Sequence, residues 1–237
     1  MTRSNAEGMK SYWDEKIDWW AESSYEEKPR GPLERWMASL RRSVHARAVI
    51  ALELLEPFIK DKVVLDVGCG NGHFAKCCAE LGAKHVIGTD ISPTAVEIAR
   101  KLAKANGVGD RTTFEVARAG EPLPPSDVVT GFGLVDWLER EECLRFFRNI
   151  KDRTFMFSYS DQDGSFDEII HHFYLVERLR LFGGGVRAYH HPRATIEGRL
   201  RKCNITNFEI VSRKEMRFGR LVHNLPTAKR NRTTRNG

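Results

Sequence analysis

The sequence predicts an α/β fold, a doubly wound and mostly parallel sheet that finishes in an antiparallel hairpin and carries an N-terminal helical extension. Three observations predict it. Short apolar runs alternate with stretches of helical periodicity, a glycine-rich turn follows the first of those runs directly, and an acidic residue closes the second. Parallel neighbours require a crossover, and a helix between successive strands supplies it, so the alternation implies helices on both faces of the sheet.

The chain opens with Tyr12, Trp13, Trp19, Trp20 and Tyr25, followed by a break at Pro29, Gly31 and Pro32. Beyond the break, Leu33, Trp36, Met37, Leu40, Val44, Ala48, Ala51, Leu52 and Leu55 recur at helical spacing, and Pro57 is expected to end that helix. Strands are expected at Val63–Val67, His85–Thr89, Thr112–Val116, Asp127–Phe132 and Thr154–Tyr159, with helices at His73–Leu81, Pro93–Asn106 and Glu139–Ile150. Phe208–Arg213 and Arg217–Val222, linked near Lys214 to Met216, form the expected hairpin. The reading divides the chain into a helical extension or lid (1–57), a core domain (58–226) with an insertion at about 161–191, and a basic tail (227–237) expected to be disordered.

Composition excludes several classes. With 237 residues and 41% hydrophobic content, one sizeable core is the expectation. No apolar run is long enough to span a bilayer and residues 1–10 lack a signal-peptide core, so the expected location is cytoplasmic. The five cysteines, at 69, 77, 78, 143 and 203, lack metal-ligand spacing and read as reduced thiols. Lys229, Arg230, Arg232 and Arg235 supply four of the six net positive charges, so the body is nearly neutral and a nucleic-acid partner is disfavoured.

Function is written most clearly in Val63-Val-Leu-Asp-Val-Gly-Cys-Gly-Asn-Gly72. Glycines at alternate positions let the backbone turn sharply and bring N–H groups against a ligand where a Cβ would intrude. Such a loop is shared by several nucleotide-binding folds. Asp66 sharpens it, because a carboxylate at the end of the first strand would repel a pyrophosphate and attract an ammonium group. Asp90, ending Val86-Ile-Gly-Thr-Asp90, stands where ribose hydroxyls are commonly held. A nicotinamide dehydrogenase fits poorly, given Asp66 and a glycine spacing without the usual last position.

Leu65-Asp-Val-Gly-Cys-Gly-Asn-Gly72 followed by Ile87-Gly-Thr-Asp-Ile-Ser92 resembles the first two motifs of the class I S-adenosylmethionine-dependent methyltransferases, a Rossmann-like superfamily, over about Lys62 to Ile150. The resemblance implies S-adenosyl-L-methionine as cofactor, with Gly68, Cys69, Gly70 and Gly72 as its cradle, Asp66 at the methionine end, Asp90 on the ribose, and Ile91 and Phe132 beside it. Many members place an acid or amide after the third strand to bind adenine. Here Arg118 occupies that place, which leaves either Arg118 or a backbone group for the task.

No Asp/Asn-Pro-Pro-aromatic motif follows the fourth strand and no cysteine follows a proline, which disfavours amino-methylating DNA and protein-glutamine enzymes and cytosine-C5 enzymes. Leu134-Val-Asp-Trp-Leu138 and Tyr12-Trp13-Asp14 are loosely similar to small-molecule methyltransferases of the ubiquinone and magnesium-protoporphyrin type. The implied acceptor is a small molecule methylated on oxygen or nitrogen; the alternatives are an RNA or protein methyltransferase and a non-catalytic cofactor-binding partner protein. Candidate bases are His171 and His172, with Tyr174 as a partner, since imidazole titrates near neutrality. Asp136 is a further candidate near the transferred methyl or a helix cap, and Arg178 and Arg180 are either anion ligands or a solvated face. Adjacent histidines diverge on a helix, so no metal site is expected.

Overall fold

The computed structural model describes residues 8–14, 32–173 and 186–226, with only the backbone course given for 32–44. Among them the helices are α1 (8–14), α2 (Pro32–Ile59), α3 (His73–Glu80), α4 (Pro93–Ala105), α5 (Arg140–Ile150), α6 (166–173) and α7 (Arg193–Lys202). The strands are β1 (Val63–Val67), β2 (His85–Asp90), β3 (Thr112–Val116), β4 (Val128–Gly131), β5 (Thr154–Ser160), β6 (Glu209–Val211) and β7 (Gly219–His223). They form one seven-stranded sheet in the order β3-β2-β1-β4-β5-β7-β6. β1 to β5 run parallel, and β7 is antiparallel to both β5 and β6, so the fold is the Rossmann-like one expected.

β1 lies inside the sheet and is almost wholly buried because both faces of the sheet are covered, which explains why all its residues but Asp66 are apolar. On one face Val64, Val86, Val128 and Met156 pack with Ala51, Leu55 and Ile59 of α2 and with buried residues of α3 and α4. On the other, Leu65, Val129, Phe155 and Phe157 pack with Phe146, Phe147 and Ile150 of α5 and Ile196 and Leu200 of α7. Successive side chains of each strand thus feed opposite cores. Strand order reverses between β1 and β4: the chain leaves β1 for β2 on one side and reaches β4 on the other, opening a crevice at their carboxyl ends.

Several boundaries shift by a residue or two, and two of the shifts have a clear physical reason. Pro57 does not end α2, which continues to Ile59; a proline in the final turn forfeits one hydrogen bond with little helix left to disrupt. β7 begins at Gly219 rather than Arg217, because Arg217 has φ of 52° at the close of the 3₁₀ turn Lys214–Met216 and cannot start an extended strand. α4 starts as its sequence dictates, with Ser92 Oγ accepting from Ala95 N–H at 3.0 Å and Pro93 in the first turn. No helix among the described residues is long and apolar enough to cross a membrane.

Phe147 is fully buried between α5 and the sheet and stacks with Phe157 at 5.1 Å. Phe147→Ala is expected to lower stability by about 3–5 kcal/mol through lost transfer energy and a residual cavity, measured by urea unfolding.

Candidate active site

At the crevice, Gly68, Gly70 and Gly72 take φ of 73°, 53° and 79°, the left-handed region that glycine enters without a Cβ penalty. The N–H groups of Gly68 and Cys69 both reach the carbonyl of Thr89, at 2.7 and 3.0 Å, so the loop is stitched to the end of β2. Gly70 N–H donates to Asp90 Oδ2 and Ser92 N–H to Asp90 Oδ1, each at 2.9 Å. Burial pushes the Asp90 carboxyl up, and the N–H groups of Ser92, Gly70 and Ile91 pull it back. Gly72 serves the frame instead of the ligand space: a Cβ there would stand 2.7 Å from Ala99 Cβ, so its absence lets α3 start against α4.

Asp66 is 2% exposed and accepts a hydrogen bond from Thr130 Oγ1 at 2.9 Å. Burial raises its pKa to about 7, with a further push from Asp90, while the Thr130 hydroxyl opposes the shift. A ligand ammonium is the group this carboxyl lacks.

A cavity of about 370 Å³ begins at this loop. Asp66, Gly68, Cys69, Gly70, Asp90, Ile91, Arg118 and Phe132 line it; Gly72 does not. Phe132 leans on Phe74, with ring centroids 4.2 Å apart. Arg118 is half-exposed beside Glu142 (Nε to Oε1, 3.7 Å), while the neighbouring Ala117 N–H is held by the Asp90 carbonyl at 2.9 Å.

The far end of the cavity is formed by Met9, Trp13, Arg47, Asp136, Trp137, Ser158, Ser160, His171, Ala188 and His190. α1 crosses it. Asp14 Oδ1 accepts from Ser92 Oγ at 2.5 Å, and Trp13 meets Trp137 edge-on at 5.1 Å. Asp136 is not a cap of α5: its carboxylate accepts from Ser160 N–H and Ser160 Oγ, both at 2.8 Å, and α5 starts at Arg140 after Glu139 in the N-cap position, which makes no side-chain cap. The chain returning from the insertion is pinned there too, with Tyr189 N–H on the Asp136 carbonyl at 2.6 Å and His191 N–H on that of Ser160 at 2.9 Å.

Three side chains form a line into this space. Glu168 Oε1 and His190 Nδ1 are 2.7 Å apart, and His190 Nε2 and His171 Nδ1 are 3.1 Å apart. A carboxylate can only accept, so Glu168 takes the Nδ1–H of His190. In the tautomer in which His190 Nε2 accepts from His171 Nδ1–H, His171 Nε2 carries a lone pair. Burial, then the neighbouring His190, Arg47 and His172, depress His171 to about 3, so it is neutral at physiological pH. His172 is exposed and outside the cavity, its ring edge-on to His190 at 4.9 Å. Glu168, His172 and His190 also bring potential ligand atoms within 4.8 Å of one another, an arrangement that spacing along the helix had not suggested; the carboxylate–imidazole bond already occupies two of the three. Tyr174, Arg178, Arg180, the glycines at 183–185, Trp19, Trp20 and the basic tail lie outside the described residues.

A model of the methyltransferase domain family matches residues 64–154, the span from β1 into β5 that carries the loop and both acids. That segment is a methyltransferase domain, and its loop and acids support the class I S-adenosylmethionine-dependent superfamily. The chain is 42% identical over 73 residues to protein arginine N-methyltransferase 1 of Saccharomyces cerevisiae, covering 30% of this chain and 21% of that protein. It is 44% identical over 68 residues to the ribosomal protein L11 methyltransferase of Haemophilus influenzae (strain PittEE), covering 28% of this chain and 23% of that protein. This chain thus spans under a quarter of those relatives' lengths. Among solved structures, magnesium protoporphyrin IX methyltransferase from Synechocystis PCC 6803 with bound SAH superposes with a TM-score of 0.68 at 19% identity, over 91% of this chain and 96% of that one. The S-adenosylmethionine-dependent methyltransferase SibL superposes with a TM-score of 0.63 at 19% identity, over 83% and 59%. At such identities the likeness is one of fold.

Sequence reasoning passed over Arg47, Glu168, Ser158 and Ser160. For Arg47 a signal existed. Positions 47, 51, 55 and 59 form one four-residue stripe whose last three members are Ala, Leu and Ile, so a charge on it had to be buried.

Asp66 gives a pH test. An acid whose folded pKa is raised contributes stability that is intact below its ordinary value, near 4, and is lost as the pH climbs through about 7. Between those limits the wild-type protein is expected to lose roughly 4 kcal/mol relative to Asp66→Asn. Parallel urea-derived stability curves for the two would show instead that the carboxylate is already compensated.

Proposed function

We propose that this protein transfers a methyl group from S-adenosylmethionine to an oxygen or nitrogen atom of a small-molecule acceptor. One observation carries the reading: a single cavity joins the glycine loop to the Glu168–His190–His171 line. The loop end fits the cofactor. Asp66 meets its ammonium group, Asp90 has lone pairs left for ribose hydroxyls beyond those used by Gly70 and Ser92, and Ile91 offers the adenine an apolar wall.

The bound cofactor supplies an activated methyl group on a cationic sulfur. The chain's own residues then need only hold the acceptor in line and receive its proton. His171 Nε2 is the acceptor of that proton in this reading, with His190 and Glu168 orienting the ring and spreading the charge it gains. Exclusion of water falls to α1, which brings Met9 and Trp13 over the acceptor end.

The identity to protein and ribosomal-protein methyltransferases extends over only 30% and 28% of this chain, and so leaves a macromolecular acceptor as the second reading. The apolar cluster of Met9, Tyr12, Val186 and Trp137 about the acceptor end favours a small, partly apolar acceptor over an extended chain.

Calorimetric titration with S-adenosylmethionine and S-adenosylhomocysteine is expected to show saturable binding that weakens at least roughly tenfold in Asp90→Ala, with no binding of NAD. A folded wild-type protein that binds neither would overturn the reading. Acceptors are then found by methyl transfer from labelled cofactor, and label retained on protein or RNA would select the second reading. With an acceptor in hand, His171→Ala is expected to lower kcat by roughly 10²- to 10⁴-fold with cofactor affinity unchanged.

A further inference from the structure

The Nε of Arg47 has no hydrogen-bond partner among the described residues. The residue is 7% exposed, its Nε is shielded from solvent, and it makes no ion pair among the described residues. Helix geometry leaves it no other course, since it shares the inward stripe of α2 with Ala51, Leu55 and Ile59. The fold reserves a slot for it: a Cβ on Gly219 would stand 2.6 Å from Arg47 Nε and 3.0 Å from its Cζ, so only glycine lets the guanidinium lie across the start of β7.

The nearby acids make their short contacts to other groups, and Asp136 acts on Arg47 only through space. Both Asp136 oxygens are held by Ser160, and Asp161 and Asp163 pair with Arg220 at 3.0 and 2.9 Å. Burial depresses the guanidinium, and Arg220 adds to that, while Asp136 opposes it. A buried cation facing a cavity, with its Nε–H unspent, calls for an anion from outside. Planar donors in a fork match an oxyanion in particular.

Resting on the methyltransferase reading above, we infer that the acceptor carries a carboxylate or phosphate-type oxyanion, and that Arg47 binds it at the end of the cavity away from Asp66. Arg47 lies against Gly219 of β7, which pairs with Ser160 of β5, whereas Asp66 stands on β1, three strands away in the sheet, opposite Thr130 of β4. The two ligand-facing charges therefore belong to separate parts of one cavity lining. Ser158 lines the same cavity, and because its Oγ accepts from Gly133 N–H at 2.8 Å its hydroxyl hydrogen is left to offer to an anion.

The test uses the full chain saturated with S-adenosylhomocysteine and a panel of small monocarboxylates and phosphate monoesters, each paired with its neutral amide or alcohol. Binding is read by calorimetry or by ligand-observed NMR. At least one acid is expected to bind at least tenfold more tightly than its neutral partner, with the class of acid distinguishing carboxylate from phosphate. That preference should vanish in Arg47→Met, persist in part in Arg47→Lys, and leave S-adenosylhomocysteine affinity unchanged in both. Absence of any acid preference in the wild-type protein overturns the inference, whether or not the variants fold. So does a preference that survives Arg47→Met. Loss of S-adenosylhomocysteine affinity in Arg47→Met would assign the guanidinium to the cofactor's own carboxylate and also overturn it. A wild-type protein that fails to bind S-adenosylhomocysteine would sink the methyltransferase reading itself, a result distinct from all of these.

Discussion

The bond from Gly70 N–H to the Asp90 carboxylate is the constraint on which the rest of the site depends. It ties the loop after β1 to the end of β2, and the neighbouring Ser92 N–H fixes the other oxygen of the same carboxylate. Ser92 in turn caps α4 and holds Asp14 of α1, so one buried acid sets the loop, the second crossover helix and the segment over the cavity. Left-handed glycines make that bond reachable, because a residue with a Cβ would resist the turn that points the Gly70 amide at β2. The cost of burying the acid is offset by three backbone donors instead of a countercharge, which keeps its ligand-facing lone pairs free.

A second organising group stands across the cavity. Asp136, in the turn after β4, accepts from Ser160 at the end of β5 through its side chain and from Tyr189 through its carbonyl. The insertion leaves the sheet after β5 and returns along that same strand end. Its outbound helix carries Glu168 and His171, and its return carries His190. Their alignment therefore follows from where the return strand docks, not from any motif. Stacking of both imidazoles beside Phe218, at 4.9 and 5.6 Å, keeps the line out of bulk water.

This division explains what was legible in the sequence. Strand order, the crossover helices and the glycine loop are local or nearly so: they depend on periodicity, on apolar runs bounded by turns, and on an acid that follows a strand. Boundaries were readable to a residue or two, and failed where a single dihedral decides, as at Arg217. The acceptor end was not readable, because it is assembled from α1, α2, β5, α6 and the return from the insertion, which are far apart in the chain. His171 drew notice as one of a pair, yet nothing local distinguishes it from His172; a register of three residues from Glu168 and a partner nineteen residues on make the difference. Arg47 was the exception, a charge on an apolar stripe whose burial was legible even though its surroundings were not.

The two ends of the cavity carry opposite unpaired tendencies, an acid at Asp66 short of a cation and a cation at Arg47 short of an anion. Left empty, both are penalties that burial magnifies. Ligands that satisfy them would be oriented by doing so, the ammonium of one drawn to the loop and the anion of the other drawn to the start of β7. Neutral His171 lies on the Arg47 side of that field, where a nearby guanidinium disfavours its protonation until a ligand anion offsets the charge. Filling the Arg47 slot would therefore raise the basicity of the imidazole that faces the acceptor, coupling recognition of the acceptor to readiness for its proton.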